Sequence, residues 1–185
     1  MKAMKNPVVA VLLAIIMVAA ATLLSAGTKL EKKSQAVTDG FYNGVRYDGY
    51  KHSSAYSQLT NLCGAADGMT AIASNYGIDC NEVSQASKAL KDSLSTMHNH
   101  IAAIYKCYSA LDAALTALDS DIDSAPLSTR DAEGVAAYRE TLSNAKRVIA
   151  ESGYNESVRN YTNSLGFPAA FFASICGVDA PEYFA

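Results

Sequence analysis

The sequence predicts an all-α protein: a single N-terminal transmembrane helix followed by an antiparallel bundle of three long helices plus a short C-terminal helix. Three observations carry that prediction. Val8 to Ala26 holds no charged residue and only Thr22 and Ser25 as mildly polar groups. Val83 to Ile122 contains two interlocked seven-residue series. One runs Val83, Leu90, Met97, Ile104, Leu111, Leu118; the other runs Ser87, Leu94, Ile101, Tyr108, Leu115, Ile122, with Ser87 its one polar break. Finally, helix stop and start chemistry flanks that seam, at Gly77–Asp79 on one side and Ala125-Pro126 with Ser128 on the other.

A chain of 185 residues allows one domain beside a membrane segment. Half the residues are apolar, as suits a helical bundle. The net charge of −3 gives no electrostatic case for binding nucleic acid. The cysteines, Cys63, Cys80, Cys107 and Cys176, form no CxxC pair and no zinc spacing. They read as small core residues, and an exported domain would open the possibility of a disulfide without specifying the pair.

Residues 1–7 form a short tail, and residues 8–27 a transmembrane signal-anchor that partners the lipid bilayer. As a helix, the uncharged run spans about 29 Å, close to the hydrocarbon thickness of a membrane. It exceeds the apolar length usual in a cleaved signal, and Leu24-Ser25-Ala26 is a mediocre cleavage site. Lys2 and Lys5 on one side nearly balance Lys29, Lys32 and Lys33 on the other, so charge alone does not orient the span. Export of the long domain is the simpler expectation.

Residues 28–53 read as a juxtamembrane helix or linker, polar from Thr28 to Gln35 and thinned by Gly40, Gly44 and Gly49. Val45, Gly49, His52, Tyr56, Leu59, Cys63, Ala66, Thr70 and Ala73 still step by three and four. This spacing predicts one long helix with a weak point near Asp39–Gly49. The bundle domain occupies 54–185. Gly77 takes the position of a C′ glycine, and Asp79 with Glu82 forms an acidic analogue of a capping box.

The seam helix is then expected to run unbroken to about Asp123, a rod of roughly 60 Å packed along partner helices. Pro126 stops it and Ser128 caps the next helix. That helix carries Val135, Tyr138, Leu142, Ala145 and Ile149, then Tyr154, Val158, Tyr161 and Leu165, with Gly166 as its stop. Ala169 to Ile175 is a short apolar helix placed to plug one end of the bundle.

No catalytic, metal or cofactor constellation stands out. Asp119, Asp121 and Asp123 alternate like the start of a calcium loop, but Ser124 replaces its glycine and Arg130 its closing glutamate. His98 and His100 point to nearly opposite sides of a helix and do not chelate one ion together. Nucleophile elbows, phosphate loops and dinucleotide fingerprints are absent. The most pointed local pattern is Tyr154-Asn155 followed by Val158 and Tyr161. It reads as a polar clasp between helices that fixes their register, because a buried amide or phenol needs a partner.

From Tyr154 the chain resembles the LemA family of bacterial membrane-anchored proteins. Tyr154-Asn155-Glu156-Ser157-Val158-Arg159-Asn160-Tyr161 is similar to that family's terminal YNxxVxxYN signature, with Thr162 in place of the last Asn. Phe167-Pro168, Ala173, Gly177 and Tyr183-Phe184 fit its FP…A…G…YF tail, and Asn43 and Val45 fit its early YNxLV. In the middle, the family's double arginine is Ala65-Ala66 here, Asp67 is kept, and its Pro-Asn pair is Thr70-Ala71. The resemblance implies a long-helix bundle on one membrane anchor, set in the bacterial plasma (inner) membrane with the bulk outside the cytoplasm. It implies no enzyme activity and no cofactor. The role expected from it is a structural or protein-interaction module, using its long helices for a partner or for self-association. The alternative is an extracytoplasmic ligand-sensing module that signals through a partner.

Overall fold

The computed structural model describes residues 7–47 and 49–185, and most of them are helical. The first helix, α1 (Pro7–Asn43), is unbroken, about 55 Å long at the usual rise. Along its N-terminal half Val8, Val11, Leu12, Leu13, Ile15, Ile16, Met17 and Val18 are all exposed. Its C-terminal half packs through Gly27, Leu30, Ser34, Val37 and Phe41, a three–four stripe in which Gly27, Ser34 and Phe41 are buried. The linker region is therefore a continuation of the apolar helix with its own seam.

The predicted continuation of a helix through Val45, Gly49 and His52 does not hold. α1 ends at Asn43, and a small antiparallel hairpin follows, β1 (Arg46–Tyr47) and β2 (Tyr50–Lys51). Asp48-Gly49, a dipeptide suited to two-residue hairpin loops, lies between the strands in sequence. Gly44 and Gly49, at φ +81° and +79°, leave the helical region and override the apolar spacing.

Helix α2 (Ala55–Asn75) starts where Ser54 accepts the Ser57 N–H at 3.1 Å. It ends as predicted at Gly77, whose φ of +72° is left-handed. Gly77 N–H donates to Ser74 O at 3.1 Å and Ile78 N–H to Ala73 O at 3.3 Å, the two bonds of a Schellman stop. Helix α3 (Asn81–Thr96) follows, with the Asp79 carboxylate accepting the Asn81 N–H at 3.0 Å.

The expected 60 Å rod is in fact two helices. The chain leaves helix at Met97–His100 and returns as α4 (Ile101–Asp123), which packs back on α3. Ser95, Thr96, Asn99 and two histidines are weak helix formers, and the Ser95 and Thr96 hydroxyls both donate to Asp92 O. Distant groups complete the turn. Tyr42 Oη donates to His98 O at 2.6 Å, and the Glu182 carboxylate accepts the Ala102 N–H at 2.9 Å, capping α4 from the far end of the chain. The seam residues still face inward: of the two series, Met97 is exposed at the turn, Tyr108 is half-buried, and the other ten are buried.

Helix α5 (Thr129–Ala150) begins at Ser128, whose hydroxyl accepts the Asp131 N–H at 3.2 Å. The long final helix expected to run on to Leu165 is also interrupted. Glu151–Gly153 breaks it, with Gly153 at φ +72°, and α6 (Tyr154–Ser164) starts afresh. The bundle is thus four antiparallel helices, α2–α5, joined by short turns. Tyr76 at the end of α2 meets Asp131 at the start of α5; Arg139 on α5 holds Asp119 and Asp123 on α4, and Lys146 pairs with Asp112. Two of the three aspartates of the calcium-like pattern, Asp119 and Asp123, are consequently held by an arginine.

Helix α6 leaves the bundle and runs back along α1, bringing the Tyr161 hydroxyl to 3.5 Å from Leu30 O. Helix α7 (Ala169–Cys176) also packs on α1, with its last residue near Leu23 and Gly27. It does not plug an end of the bundle, because α6 has already carried the chain away from it.

Candidate functional site

The end of the bundle nearest α1 gathers five parts of the chain: the end of α1, the start of α2, the α3–α4 turn, the α5–α6 junction and the C-terminal tail. Phe41 is fully buried at its centre. Its ring lies 5.4 Å from Tyr154 in an edge-to-face pair and 5.5 Å from Phe184. Phe184 in turn meets Tyr105 at 5.0 Å and Tyr108 at 5.5 Å. Tyr42 stacks on His98 with 4.1 Å between ring centres. Such aromatic pairs each contribute about 0.5–1.5 kcal/mol beyond the area they bury.

The tail from Val178 onward has no regular structure, so its backbone needs partners from elsewhere. Ser34 Oγ donates to Asp179 O at 2.7 Å, and Tyr154 Oη donates to Glu182 O at 2.8 Å. Asn155 binds Phe184 twice, Nδ2 donating to its carbonyl at 2.9 Å and Oδ1 accepting its N–H at 2.8 Å. The tail therefore ties α1, α4 and α6 together. The expected clasp at Tyr154-Asn155 exists, but it holds the backbone of the tail; no neighbouring helix supplies its partner.

Tyr42 and Tyr154 donate here in their neutral form. Burial, then the neighbouring Tyr56, pushes Tyr42 up to about 12. Burial, then Tyr42 and Glu182, pushes Tyr154 well above the ordinary phenol range. Tyr108 moves the same way, through burial and then Asp112 and Tyr105. A phenol held in that range does not act as a base near neutral pH. What the arrangement does chemically is hold polypeptide backbone with uncharged hydrogen-bond donors.

The motif residues divide. Tyr154, Asn155 and Phe184 meet in the clasp; Val158 is buried beside them in sequence, and Tyr161 reaches α1. Val45 lies close by at the hairpin, its carbonyl accepting the His52 N–H at 3.0 Å, while Asn43 is an exposed helix end. Asp67 stands apart in the middle of α2, accepting from Ser87 Oγ at 2.8 Å and paired with Lys91. Phe167 and Pro168 precede α7, Gly177 closes it with φ +64°, and Tyr183 is exposed. Phe41, Glu182 and Ser34 belong to the clasp without having been singled out, and His98, weighed with His100 as a metal ligand, stacks on Tyr42 there. Phe41 was within reach of the stripe it ends on α1; Glu182 carries no local signal at all.

Two grooves border the clasp. One, of about 610 Å³, is lined by Tyr105, Tyr108, Lys146, Ile149, Tyr154 and Phe184. The other, of about 830 Å³, separates the Leu23–Asp39 part of α1 from the tail and includes Ser34, His100, Cys176 and Glu182. The described residues contain no group of three His, Cys, Asp or Glu side chains placed to hold a metal ion. The four cysteines are free thiols: Cys63 and Cys80 buried, Cys107 half-buried and Cys176 exposed. Burial leads in raising the Cys63 thiol to about 11, with Lys91 pulling the other way. Comparison with protein-family models, with curated proteins and with solved structures finds no match to this chain.

Proposed function

We propose that the chain is a LemA-like, membrane-anchored and non-enzymatic protein of the bacterial cell envelope, in which an extracytoplasmic helical bundle serves as a structural or protein-interaction module. One observation carries the reading: α1 joins an apolar half whose large side chains are mostly exposed to a half whose last turn, at Phe41, lies in the core. Leaving that many large apolar side chains in water is costly, at about 25 cal/mol per Å², and a bilayer removes the cost. Helix Ile101–Asp123 is also long and apolar enough to span a membrane, but its apolar face is used inside the bundle. The neutral, backbone-holding chemistry of the clasp fits a scaffold better than a reaction.

The test is protease shaving of intact cells carrying a C-terminal tag, with membrane fractionation alongside. Loss of the tag from intact cells, with the untreated protein in the membrane fraction, supports the reading. A tag cut only after permeabilisation places the bundle in the cytoplasm and rejects the envelope role; recovery in the soluble fraction rejects the anchor.

A sensing module is the second reading, favoured by the 830 Å³ groove where α1, α7 and the tail meet. A ligand there would touch the anchor helix directly. Ligand-dependent melting is its signature, since a hundredfold excess over Kd adds about 2.7 kcal/mol.

A further inference from the structure

Helix α7 presents an apolar face that none of the described residues covers. Phe167 just before it is 89% exposed, Phe171 53% and Ile175 55%. Phe171 and Ile175 are one turn apart in α7 and so share a side, and the Phe167 ring lies 6.4 Å from that of Phe171. Ala173, on the opposite side, is buried, and Cys176 packs toward α1. From Leu165 to Val178 there is no charged residue. Soluble surfaces seldom keep large apolar side chains aligned and bare in this way.

The level at which α7 is attached identifies what covers that face. Cys176 Sγ lies 3.5 Å from Leu23 O, and a Cβ at Gly27 would come within 2.8 Å of Cys176 Sγ. Leu23 to Gly27 is the final turn of the uncharged run of α1. If that run spans the bilayer, α7 sits at the boundary between acyl chains and headgroups. Lys29, Lys32 and Lys33 are exposed on α1 one to two turns beyond, at the height of lipid phosphates. Interfacial helices bury one apolar face about 5–10 Å into this zone and keep basic groups above it.

We propose that α7 is a second membrane contact, an interfacial helix whose Phe167, Phe171 and Ile175 insert into the acyl–headgroup boundary beside the anchor. This rests on the anchor reading given above, and the occupant is lipid. The α1 seam explains the design: the small residue Gly27 lets α7 approach closely, and α6 delivers it to that depth.

The chain has no tryptophan, so a single introduced indole reports depth cleanly. Three full-length variants, Phe171→Trp, Ile15→Trp and Tyr50→Trp, are reconstituted separately in phosphatidylcholine–phosphatidylglycerol vesicles containing lipids brominated at shallow or deep acyl positions. All three sites are exposed in the fold, and circular dichroism verifies helicity. The expected result is that the indole at 171 loses most of its emission to shallow bromines, the one at 15 to deep bromines, and the one at 50, on the hairpin, to neither. Quenching at 15 but not at 171 overturns the inference while leaving the anchor intact, and crosslinking between copies at α7 would then identify self-association as the use of the face. Absence of quenching at 15 removes the anchor and the α7 contact together.

Discussion

Asn155 grips the backbone of Phe184 with both ends of its amide, at 2.9 Å and 2.8 Å, although 28 residues of chain separate them. The grip seats the Phe184 ring against Phe41, Tyr105 and Tyr108. Asn155→Ala removes both bonds at a partly exposed site, for a loss of about 1–2 kcal/mol at roughly 1 kcal/mol per net hydrogen bond. Phe184→Ala empties a buried aromatic position and is expected to cost about 3 kcal/mol or more. Chemical denaturation of the two variants and the double mutant checks this; independent, additive losses would contradict a shared clasp.

Gly64 and Gly68 occupy the same helix and respond oppositely to alanine. A Cβ at Gly64 meets nothing within 4 Å, whereas one at Gly68 would lie 2.3 Å from the Tyr138 ring where α5 crosses α2. Gly64→Ala should raise stability by up to about 1 kcal/mol through helix propensity. Gly68→Ala gains the same propensity but forces the ring aside, and should lower stability by about 1–3 kcal/mol. Thermal melts in detergent decide it, and equal shifts would remove the close approach from the account.

The α3–α4 turn is tested by charge. Ile104→Asp and Leu111→Asp place an unpaired carboxylate at fully buried positions and should unfold the bundle. Met97→Asp, on the same seven-residue series, should be nearly neutral because Met97 faces solvent in the turn. Loss of helicity in all three would restore the continuous rod.

Asp131 supplies a pH dependence. Hydrogen bonds from Tyr76 and then Ser128 hold its carboxyl below the ordinary range. A carboxyl depressed in the folded state contributes stability above its unfolded pKa, near 4, and loses it as pH falls through the lower folded value. Tyr76→Phe should therefore melt below wild type at neutral pH and converge with it in acid, as melting curves between neutral pH and pH 2 would reveal. A difference that widened in acid would have the wrong sign.

Local chemistry was legible in the sequence and long-range partnership was not. Gly77, Pro126 and Ser128 act within a few residues of themselves, and each does in the fold what its residue type predicts. The inward face of Val83–Ile122 was also legible, because burial follows spacing whether or not the helix bends. The bend itself was hidden: Met97 keeps the seven-residue phase between Leu90 and Ile104, so the pattern runs straight through a turn whose supports are Tyr42 and Glu182. The clasp was half legible for a similar reason. Asn155 announces a need for partners, but a backbone carbonyl and N–H at Phe184 leave no trace in residue type. The missed seam on α1 is different, since Gly27, Leu30, Ser34, Val37 and Phe41 carry the spacing openly; the small and polar members masked it.

Two of the places where α1 is held, Phe41 in the core and Gly27 against Cys176, are about 21 Å apart along the helix axis. A lone helical stalk bends and twists under load. This one is braced, with α6 and α7 as a diagonal strut fixed at both ends, so the bundle stands at a set height and heading above the end of the apolar run. Adding one residue between the fixtures would turn them by about 100° relative to each other, and the strut would have to release one end.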